Sequence, residues 1–185
     1  TIVGTFAVDA SEIGAAEIAN PTRNISIPLL AFYDCTTDAG AVLSFASGAD
    51  TLPDFINSAT DGLGLYIEWD DAGGALDVGY ICAELQVPQD YASGGTFRLS
   101  LDKDAETTGT NTEQINTQVS INFAALGAAD TDNVVGATEQ EVNSAPTATY
   151  AVGDSVGITI YVNSGGTMDD AVFLLSVSFE YVATQ

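Results

Sequence analysis

A period of two in the hydrophobic pattern constrains the fold most strongly, and it is clearest at residues 115–123, I-N-T-Q-V-S-I-N-F. The odd-numbered side chains, from Ile115 to Phe123, share one face of an extended chain, and the polar even-numbered side chains share the other. This pattern predicts a half-buried β-strand with one wet face. The same alternation recurs three times, at Phe97, Leu99 and Leu101, at Val156, Ile158, Ile160 and Val162, and at Leu175, Val177, Phe179 and Tyr181.

Other segments add strands, turns and loops to this framework. Apolar runs predict central strands covered on both faces at residues 25–33, 41–46, 63–69, 78–87 and 147–152. Gly-Gly pairs predict chain reversals at residues 73–74, 94–95 and 165–166. Polar segments at residues 104–113 and 127–133 predict exposed loops. Helical signals are confined to residues 11–19 and 52–59, which are short.

About ten short strands separated by frequent turns predict an all-β fold. We expect one antiparallel β-sandwich domain of jelly-roll type over residues 1–185, with at most one or two short helices. Residues 1–20 are a candidate extended N-terminal arm. Within that arm Ile2, Val3 and Phe6 are the candidate interface residues, which would add to the edge of a partner's sheet. An ordinary edge strand is the alternative for this segment.

The charge of the chain is strongly one-sided. It carries 26 acidic residues against three basic ones, Arg23, Arg98 and Lys103, which gives a net charge of −23. Nucleic-acid binding is not expected, because phosphates are neutralised by Lys and Arg. Anionic membrane surfaces are not expected as partners for the same reason. Self-association would need apolar or closely paired contacts, or salt that screens the charge.

Catalytic and cofactor-binding motifs are missing from the sequence. The chain has no histidine, which excludes a Ser-His-Asp triad and the usual zinc sites. It also has neither of the common glycine-rich phosphate-binding motifs. We therefore predict no enzyme activity, no cofactor, no metal and no catalytic residues. A carboxylate pair acting as a weak glycosidase or lyase stays an alternative, although no spacing selects two of the 26 acids.

Two further features leave alternatives open. Cys35 and Cys82 are interpreted as two buried thiols in neighbouring strands, and a disulfide between them is the alternative. Acidic segments offer oxygen ligands for calcium at Asp130 and Asp132, at Asp102, Asp104 and Glu106, and at Asp169 and Asp170. None of them matches an EF-hand loop, so solvated acidic loops are the favoured interpretation.

Aromatic residues raise the question of a sugar-stacking platform. Tyr66 and Trp69 have opposite parity in the predicted strand, so they would face opposite sides of the sheet. Core filling is therefore the favoured role of these side chains.

Two segments resemble jelly-roll proteins of tailed bacteriophages. The first is the strand that ends in Pro88-Gln89-Asp90-Tyr91, followed by Gly94-Gly95 and an alternating strand. The second is the entry Tyr150…Gly153-Asp154 into a penultimate strand, with a closing strand that ends near Tyr181. Together they cover about residues 78–102 and 146–182. The roles of Pro88 as a strand terminator and Asp90 as a turn residue are structural in themselves.

The resemblance implies a capsid decoration, or cement, protein. Such a chain would sit on the outer capsid surface of the virion, bridge subunits of the major capsid protein and contact copies of itself. The alternative is a secreted carbohydrate-binding β-sandwich module, with calcium dependence as a variant of that hypothesis.

Overall fold

The alternating segments form β-strands. The computed structural model describes residues 20–36, 43, 53–58, 64–70, 79–103, 113–134, 139–164 and 171–184. The strands within these residues are β1 (Thr22–Ile27), β2 (Tyr33–Asp34), β3 (Asp54–Ser58), β4 (Gly64–Trp69), β5 (Ile81–Gln86), β6 (Tyr91–Lys103), β7 (Glu113–Ile121), β8 (Asp130–Val134), β9 (Gln140–Ser144), β10 (Ser155–Ser164) and β11 (Val172–Ala183). A single 3-10 turn, Leu29–Ala31, lies between β1 and β2.

Two antiparallel sheets stack against each other. The six-stranded sheet has the order β3-β4-β11-β6-β9, and β1 pairs with the C-terminal half of β11. The five-stranded sheet has the order β2-β5-β10-β7-β8. From β5 to β11 every connection except β7 to β8 crosses from one sheet to the other. This confirms the predicted antiparallel β-sandwich of jelly-roll type.

One hydrophobic core fills the space between the two sheets. Phe97, Leu99 and Leu101 of β6 are fully buried, and Val156 and Ile158 of β10 are buried from the other side. Each such side chain contributes roughly 1.5–3 kcal/mol relative to exposure. The predicted inward faces of β6, β7 and β10 are therefore confirmed in their main positions, and every described strand except β2 contributes a hydrophobic side chain to this core.

Strand β11 departs from the predicted alternation at a β-bulge. The register with β6 shifts between Leu174 and Ser176, so that Leu175 is the extra residue. Leu174 is fully buried and Leu175 is only half-buried, which makes the inward assignment of Leu175 wrong. Beyond the bulge Val177, Phe179 and Tyr181 point inward as predicted. A bulge changes the face of every residue on one side of it, and the hydrophobic pattern gives no sign of that change.

The Gly94-Gly95 pair does not reverse the chain. The turn lies earlier, at Gln89 and Asp90, and both glycines lie inside β6 with φ of 82° and 130°. A Cβ atom added to Gly95 would lie 2.4 Å from the Tyr150 ring, so this glycine also makes room for an aromatic side chain. The predicted reversal is wrong because the two glycines lie in a part of β6 whose pairing with β11 is irregular.

Three predicted strands are shorter than expected or missing. The run at residues 25–33 is interrupted at Pro28, because proline donates no ladder hydrogen bond, and a 3-10 turn follows. Residues 147–152 form no strand. A turn follows, in which the Asp154 backbone N–H donates to the Ala151 carbonyl. Strand β7 ends at Ile121, so Phe123 lies in a turn with φ 63° and is 83% exposed rather than buried.

Two further segments are strands where none was predicted. The segment at residues 52–59, predicted to be a short helical turn, contains β3, whose hydrogen-bonded partner is β4. The segment at residues 127–133, predicted to be an exposed loop, contains most of β8. Both strands lie at sheet edges, where pairing with a neighbour outweighs the local sequence preference.

Several predictions fall outside the described residues. They concern the arm with Ile2, Val3 and Phe6, the helical signal at residues 11–19, the glycine pairs at residues 73–74 and 165–166, the strand at residues 41–46 apart from Leu43, and the loop at residues 104–112. The extent of the domain over residues 1–185 likewise stays a prediction. Within the described residues, no helix has the length and apolar content needed to cross a bilayer.

Candidate functional site

A cleft on the outer face of the five-stranded sheet is the candidate site. Because Ile158 and Ile160 of β10 face the core, Thr159 and Tyr161 face outward. Tyr161 lies opposite Asn116 of β7, and Asn116 lies opposite Thr131 of β8. On the other side of β10 the ring of Tyr80 packs against the ring of Tyr161, with the ring centroids 4.6 Å apart. A row of two tyrosines, an amide and a hydroxyl therefore crosses four strands.

A second row runs beside the first. Thr159 lies opposite Cys82 of β5 on one side and opposite Gln118 of β7 on the other. Cys82 is in turn paired with Tyr33 of β2, and the Tyr33 side chain is 37% exposed. A cleft of about 350 Å³ lies along the second row and is lined by Cys35, Thr36, Tyr80, Cys82, Gln118, Leu126 and Thr159. We call this cleft together with Tyr33, Tyr161 and Asn116 the tyrosine cleft.

A disulfide bond fixes one wall of the tyrosine cleft. Cys35 and Cys82 are joined, with their Cα atoms 5.8 Å apart. The interpretation of two buried thiols is therefore wrong, because β2 pairs with β5 in a register that places Cys35 beside Tyr80 and diagonal to Cys82. Strand β2 has only two residues, so the covalent bond holds it, and Tyr33 with it, at the sheet edge.

Hydrogen bonds hold the polar side chains of the tyrosine cleft in place. The Gln118 side-chain amide donates to the Gly127 carbonyl at 3.0 Å, and the Thr131 hydroxyl donates to Asn116 Oδ1 at 2.6 Å. The Thr36 hydroxyl oxygen accepts from the Tyr80 backbone N–H at 2.9 Å. The surface is therefore organised before any ligand arrives, which lowers the entropy cost of binding.

The environment of Tyr161 favours the neutral form of its hydroxyl. Burial, and secondarily the neighbouring Tyr80, raises the pKa of Tyr161 above its usual value. Within the described residues, no hydrogen bond is made by the hydroxyls of Tyr33, Tyr80 or Tyr161. A phenol group combines an apolar ring with a polar hydroxyl, so it can contact both apolar and polar groups of a ligand.

The side chains that line the tyrosine cleft are uncharged. The side chains that line it carry hydroxyls, an amide, a disulfide and apolar groups, and none of the described lining residues is charged. Both cysteines of the chain are in the disulfide, so neither is a nucleophile. Across the described ranges, no three His, Cys, Asp and Glu side chains come together in a way that would hold a metal ion.

The aromatic residues singled out in the sequence lie elsewhere. Trp69 is fully buried in the core, and its indole N–H donates to the Gly79 carbonyl at 3.1 Å. Tyr66 lies on the opposite face of β4 and packs against Phe173. The predictions of opposite faces and of core filling by Trp69 are confirmed.

The acidic candidates for calcium that are described lie on strands rather than in exposed loops, with Asp102 on β6 and Asp130 and Asp132 on β8. Asp130 and Asp132 lie on β8 opposite the inward-facing Thr117 and Ile115 of β7. Asp130 accepts from the Ala145 backbone N–H at 2.6 Å and from the Ser144 hydroxyl at 3.3 Å, and it thereby links the edges of the two sheets. Asp104, Glu106, Asp169 and Asp170 lie outside the described residues.

The segments that resemble phage proteins meet at one end of the sandwich. Asp90 accepts hydrogen bonds from the Arg23 guanidinium and from the Tyr181 hydroxyl, and its backbone carbonyl accepts from Thr184. The rings of Tyr91, Tyr150, Phe179 and Tyr181 pack around it. Burial raises the pKa of Tyr150 to about 12. We call this cluster the Asp90 corner; it stabilises the junction of β1, β6 and β11.

Sequence reasoning missed the tyrosine cleft because its residues come from separate segments of the chain. One signal was present: Tyr161 occupies an outward position within the alternation Val156, Ile158, Ile160 and Val162. An aromatic side chain at a wet position of a strand indicates a contact surface. No comparable signal marked Tyr33 or Tyr80, because their placement depends on the pairing of β2 and β5.

Comparisons with known proteins support the fold of the chain. Neither a scan against protein-family models nor a search of curated proteins finds a match. Among solved structures, the xylan-binding module CBM15 is similar with a TM-score of 0.52 and 11% identity, over 89% of this chain and 100% of that module. That likeness shows the β-sandwich fold.

Two larger enzymes contain regions that align with a lower TM-score of 0.43 each. One is the Clostridium thermocellum endo-1,4-β-D-xylanase 10B with its CBM22-1 and GH10 modules, at 13% identity over 90% of this chain and 29% of that chain. The other is the α-L-arabinofuranosidase MgGH51, at 16% identity over 82% of this chain and 23% of that chain.

Proposed function

We propose that this chain is a non-catalytic carbohydrate-binding module that binds a polysaccharide along the tyrosine cleft. The observation that carries the proposal is the Tyr80–Tyr161 ring pair, which lies at a cleft that also contains the fixed side-chain amide of Gln118, whereas the neighbouring Asn116 is buried. Small-molecule sites typically combine apolar or aromatic walls with a few fixed polar groups, and this cleft has that composition.

The chemistry of a sugar ring matches both parts of this surface. A pyranose has C–H groups on its faces and hydroxyls around its rim. Tyrosine rings cover the C–H faces, while amide and hydroxyl side chains pair with the rim. The rows cross several strands that are spaced about 4.8 Å apart, so they can contact more than one sugar of a chain.

The fold likeness to a xylan-binding module agrees with this proposal but does not carry it. A β-sandwich hosts many unrelated functions, and so the argument depends on the residues of the cleft. It also depends on the absence of histidine from the whole chain, which removes the commonest general base.

Tyr161→Ala tests the proposal against a matched control on the other sheet. The assay is affinity electrophoresis or calorimetry with a panel of soluble polysaccharides that includes xylan, mannan and mixed-linkage glucan. We expect Tyr161→Ala to weaken the binding of the preferred polysaccharide by about tenfold or more, which corresponds to about 1.4 kcal/mol. Phe173→Ala removes the equivalent ring pair with Tyr66 and should leave the affinity unchanged. Failure of the unmodified chain to bind any polysaccharide, or equal losses in the two variants, would overturn the proposal.

Virion decoration is the second candidate, and a different surface favours it. Phe123 is 83% exposed at the turn after β7, in a left-handed backbone conformation that is costly for an aromatic residue. Asn122 fixes this turn by donating to Asp154 Oδ1 at 2.7 Å and accepting from the Ser155 N–H at 3.0 Å. A rigidly presented phenylalanine suits an anchor that fills a pocket on a partner protein.

Capsid shells that lack the chain provide the test of this second candidate. If the chain decorates a capsid through this turn, it should bind such shells at a fixed copy number, and Phe123→Gly should reduce the occupancy. Absence of stoichiometric binding by the unmodified chain would exclude the decoration hypothesis and would leave the polysaccharide proposal untouched.

A further inference from the structure

The cationic side chains of this protein are all committed to internal ion pairs. The chain has three of them in total. Arg23 pairs with Asp90. Arg98 donates two hydrogen bonds of 2.9 Å to the two carboxylate oxygens of Glu180 and also contacts Glu141. These pairs leave Lys103 as the remaining cation.

Lys103 is the least accessible of the three. Its Nζ atom lies 3.1 Å from Glu113 Oε2, and the side chains of the pair are 3% and 0% exposed. A buried lysine that neutralises a buried carboxylate cannot be withdrawn for a ligand without leaving a buried charge, which costs several kcal/mol. Lys103 is therefore not available for an anionic ligand, and each of the two arginines, which are more exposed, already has a carboxylate partner.

None of the three cations lies at the tyrosine cleft. Arg98 is on the outer face of the six-stranded sheet, Arg23 is at the Asp90 corner and Lys103 is in the interior. Charge near the cleft has the opposite sign. Glu84 is exposed on the same outer face of β5, two residues beyond Cys82 and opposite Gly157 of β10.

From this distribution, and on the basis of the proposed function, we infer that the ligand is an electrically neutral polysaccharide and that carboxylated or sulfated glycans are rejected. An anionic sugar placed in the cleft would lose water without gaining a cationic partner. It would also be repelled by a chain with a net charge of −23, and the carboxylate of Glu84 adds to this repulsion near the cleft. A neutral sugar needs only stacking and hydrogen bonds, which the cleft provides.

The experiment compares two derivatives of one backbone. The preferred neutral polysaccharide from the panel is carboxymethylated in one sample and hydroxyethylated to the same degree in another, so that the substituents are similar in size and differ in charge. At low ionic strength we expect the carboxymethyl derivative to bind about tenfold more weakly than the hydroxyethyl derivative. Added salt should narrow this difference, because it screens exposed charges.

Glu84→Gln tests whether the charge of Glu84 contributes to the weaker binding of the carboxymethyl derivative. The variant should bind the carboxymethyl derivative about two- to threefold more tightly than the unmodified chain does, with unchanged affinity for the hydroxyethyl derivative. Glu139→Gln removes the same charge near Ser100 on the other sheet and should change neither affinity.

The outcomes separate the two ideas. If no polysaccharide binds, the proposed function fails. If neutral polysaccharides bind and the carboxymethyl derivative binds equally well at low salt, only the inference about charge is overturned. Equal effects of Glu84→Gln and Glu139→Gln would contradict the local role of Glu84.

Discussion

The Asp90 corner and the tyrosine cleft both contain clustered tyrosines, but the polar groups of the two clusters have different partners. At the corner the carboxylate of Asp90 is hydrogen-bonded to Arg23 and Tyr181, and aromatic rings pack around it. At the cleft the rings of Tyr80 and Tyr161 contact each other, and their hydroxyls make no hydrogen bond to another described residue. The difference shows that a tyrosine cluster supports folding when its polar ends find partners within the chain. It can support binding when those ends face solvent.

This comparison also explains why the phage-like segments are weak guides to function. The residues that carry the resemblance include Pro88, Asp90, Tyr91 and Tyr150, and they are packed into the Asp90 corner. Their roles are to end β5, turn the chain and hold β11. A β-sandwich of any function can use such a corner, so the decoration hypothesis stays a prediction.

The largest effect on stability is expected at Lys103, another polar group that is paired within the fold. Lys103→Met leaves Glu113 buried without its cationic partner, and we expect a loss of about 3–5 kcal/mol in the free energy of unfolding. Urea denaturation measures this loss. Under conditions where the variant is still folded, its affinity for the neutral polysaccharide should equal that of the unmodified chain.

A double variant tests the cause of that loss. In Lys103→Met with Glu113→Leu no buried charge remains, and we expect most of the stability to return. A double variant as unstable as Lys103→Met would indicate that packing around the lysine stem, rather than the unpaired carboxylate, is responsible.

A smaller effect is expected at Asp90. Asp90→Ala removes the acceptor of the Tyr181 hydroxyl and an ion pair with Arg23 that is largely exposed, and we expect a loss of about 1–2 kcal/mol. Asp90→Asn keeps an acceptor oxygen for Tyr181 and should lose less. Thermal unfolding measures both variants, and polysaccharide affinity should be unchanged in both. Weakened binding in Asp90→Ala would show that the corner and the cleft are coupled.

How far the sequence predicts each region depends on whether the region is local. The alternation in β6, β7 and β10 follows from one wet and one dry face, and it is readable from the residues alone. Strand β8 is not readable in this way, because its inward residues include Asp130 and Asp132, which are polar. The bulge at Leu175 and the irregular strand at Gly94 and Gly95 could not be predicted for a related reason. Each depends on how a strand packs against its neighbours.

The tyrosine cleft was less predictable than the fold. Its two rows exist only because β2, β5, β10 and β7 pair in a particular register, and no local pattern specifies that register. The disulfide between Cys35 and Cys82 depends on the same pairing. Tyr161 alone was marked in the sequence, by its outward position in an alternating strand.

The smallest change in the free energy of unfolding, and the only gain, is expected at Phe123. This residue tests whether the turn after β7 stabilises the fold, as the Asp90 corner does, or forms a binding surface. Asn122 and Phe123 both have positive φ, at 50° and 63°, and Ala124 N–H donates to the Ile121 carbonyl across them at 3.0 Å. This is the pattern of a type I′ turn, in which the second central position favours glycine. A left-handed conformation costs roughly 1–2 kcal/mol for a residue with a Cβ atom, against roughly 0.5–1 kcal/mol for the extra chain entropy of glycine.

Phe123→Gly should therefore stabilise the fold by about 0.5–1 kcal/mol, even though it deletes an aromatic ring. Phe123→Ala keeps the Cβ atom and the backbone cost, so it should leave the free energy of unfolding nearly unchanged. Chemical denaturation of the two variants in parallel decides the matter. Equal destabilisation in both would mean that the ring packs on the fold and that the turn belongs with the Asp90 corner. Stabilisation by glycine alone would mean that the chain retains an unfavourable, exposed phenylalanine against its own stability, which is expected of a residue that contacts a partner.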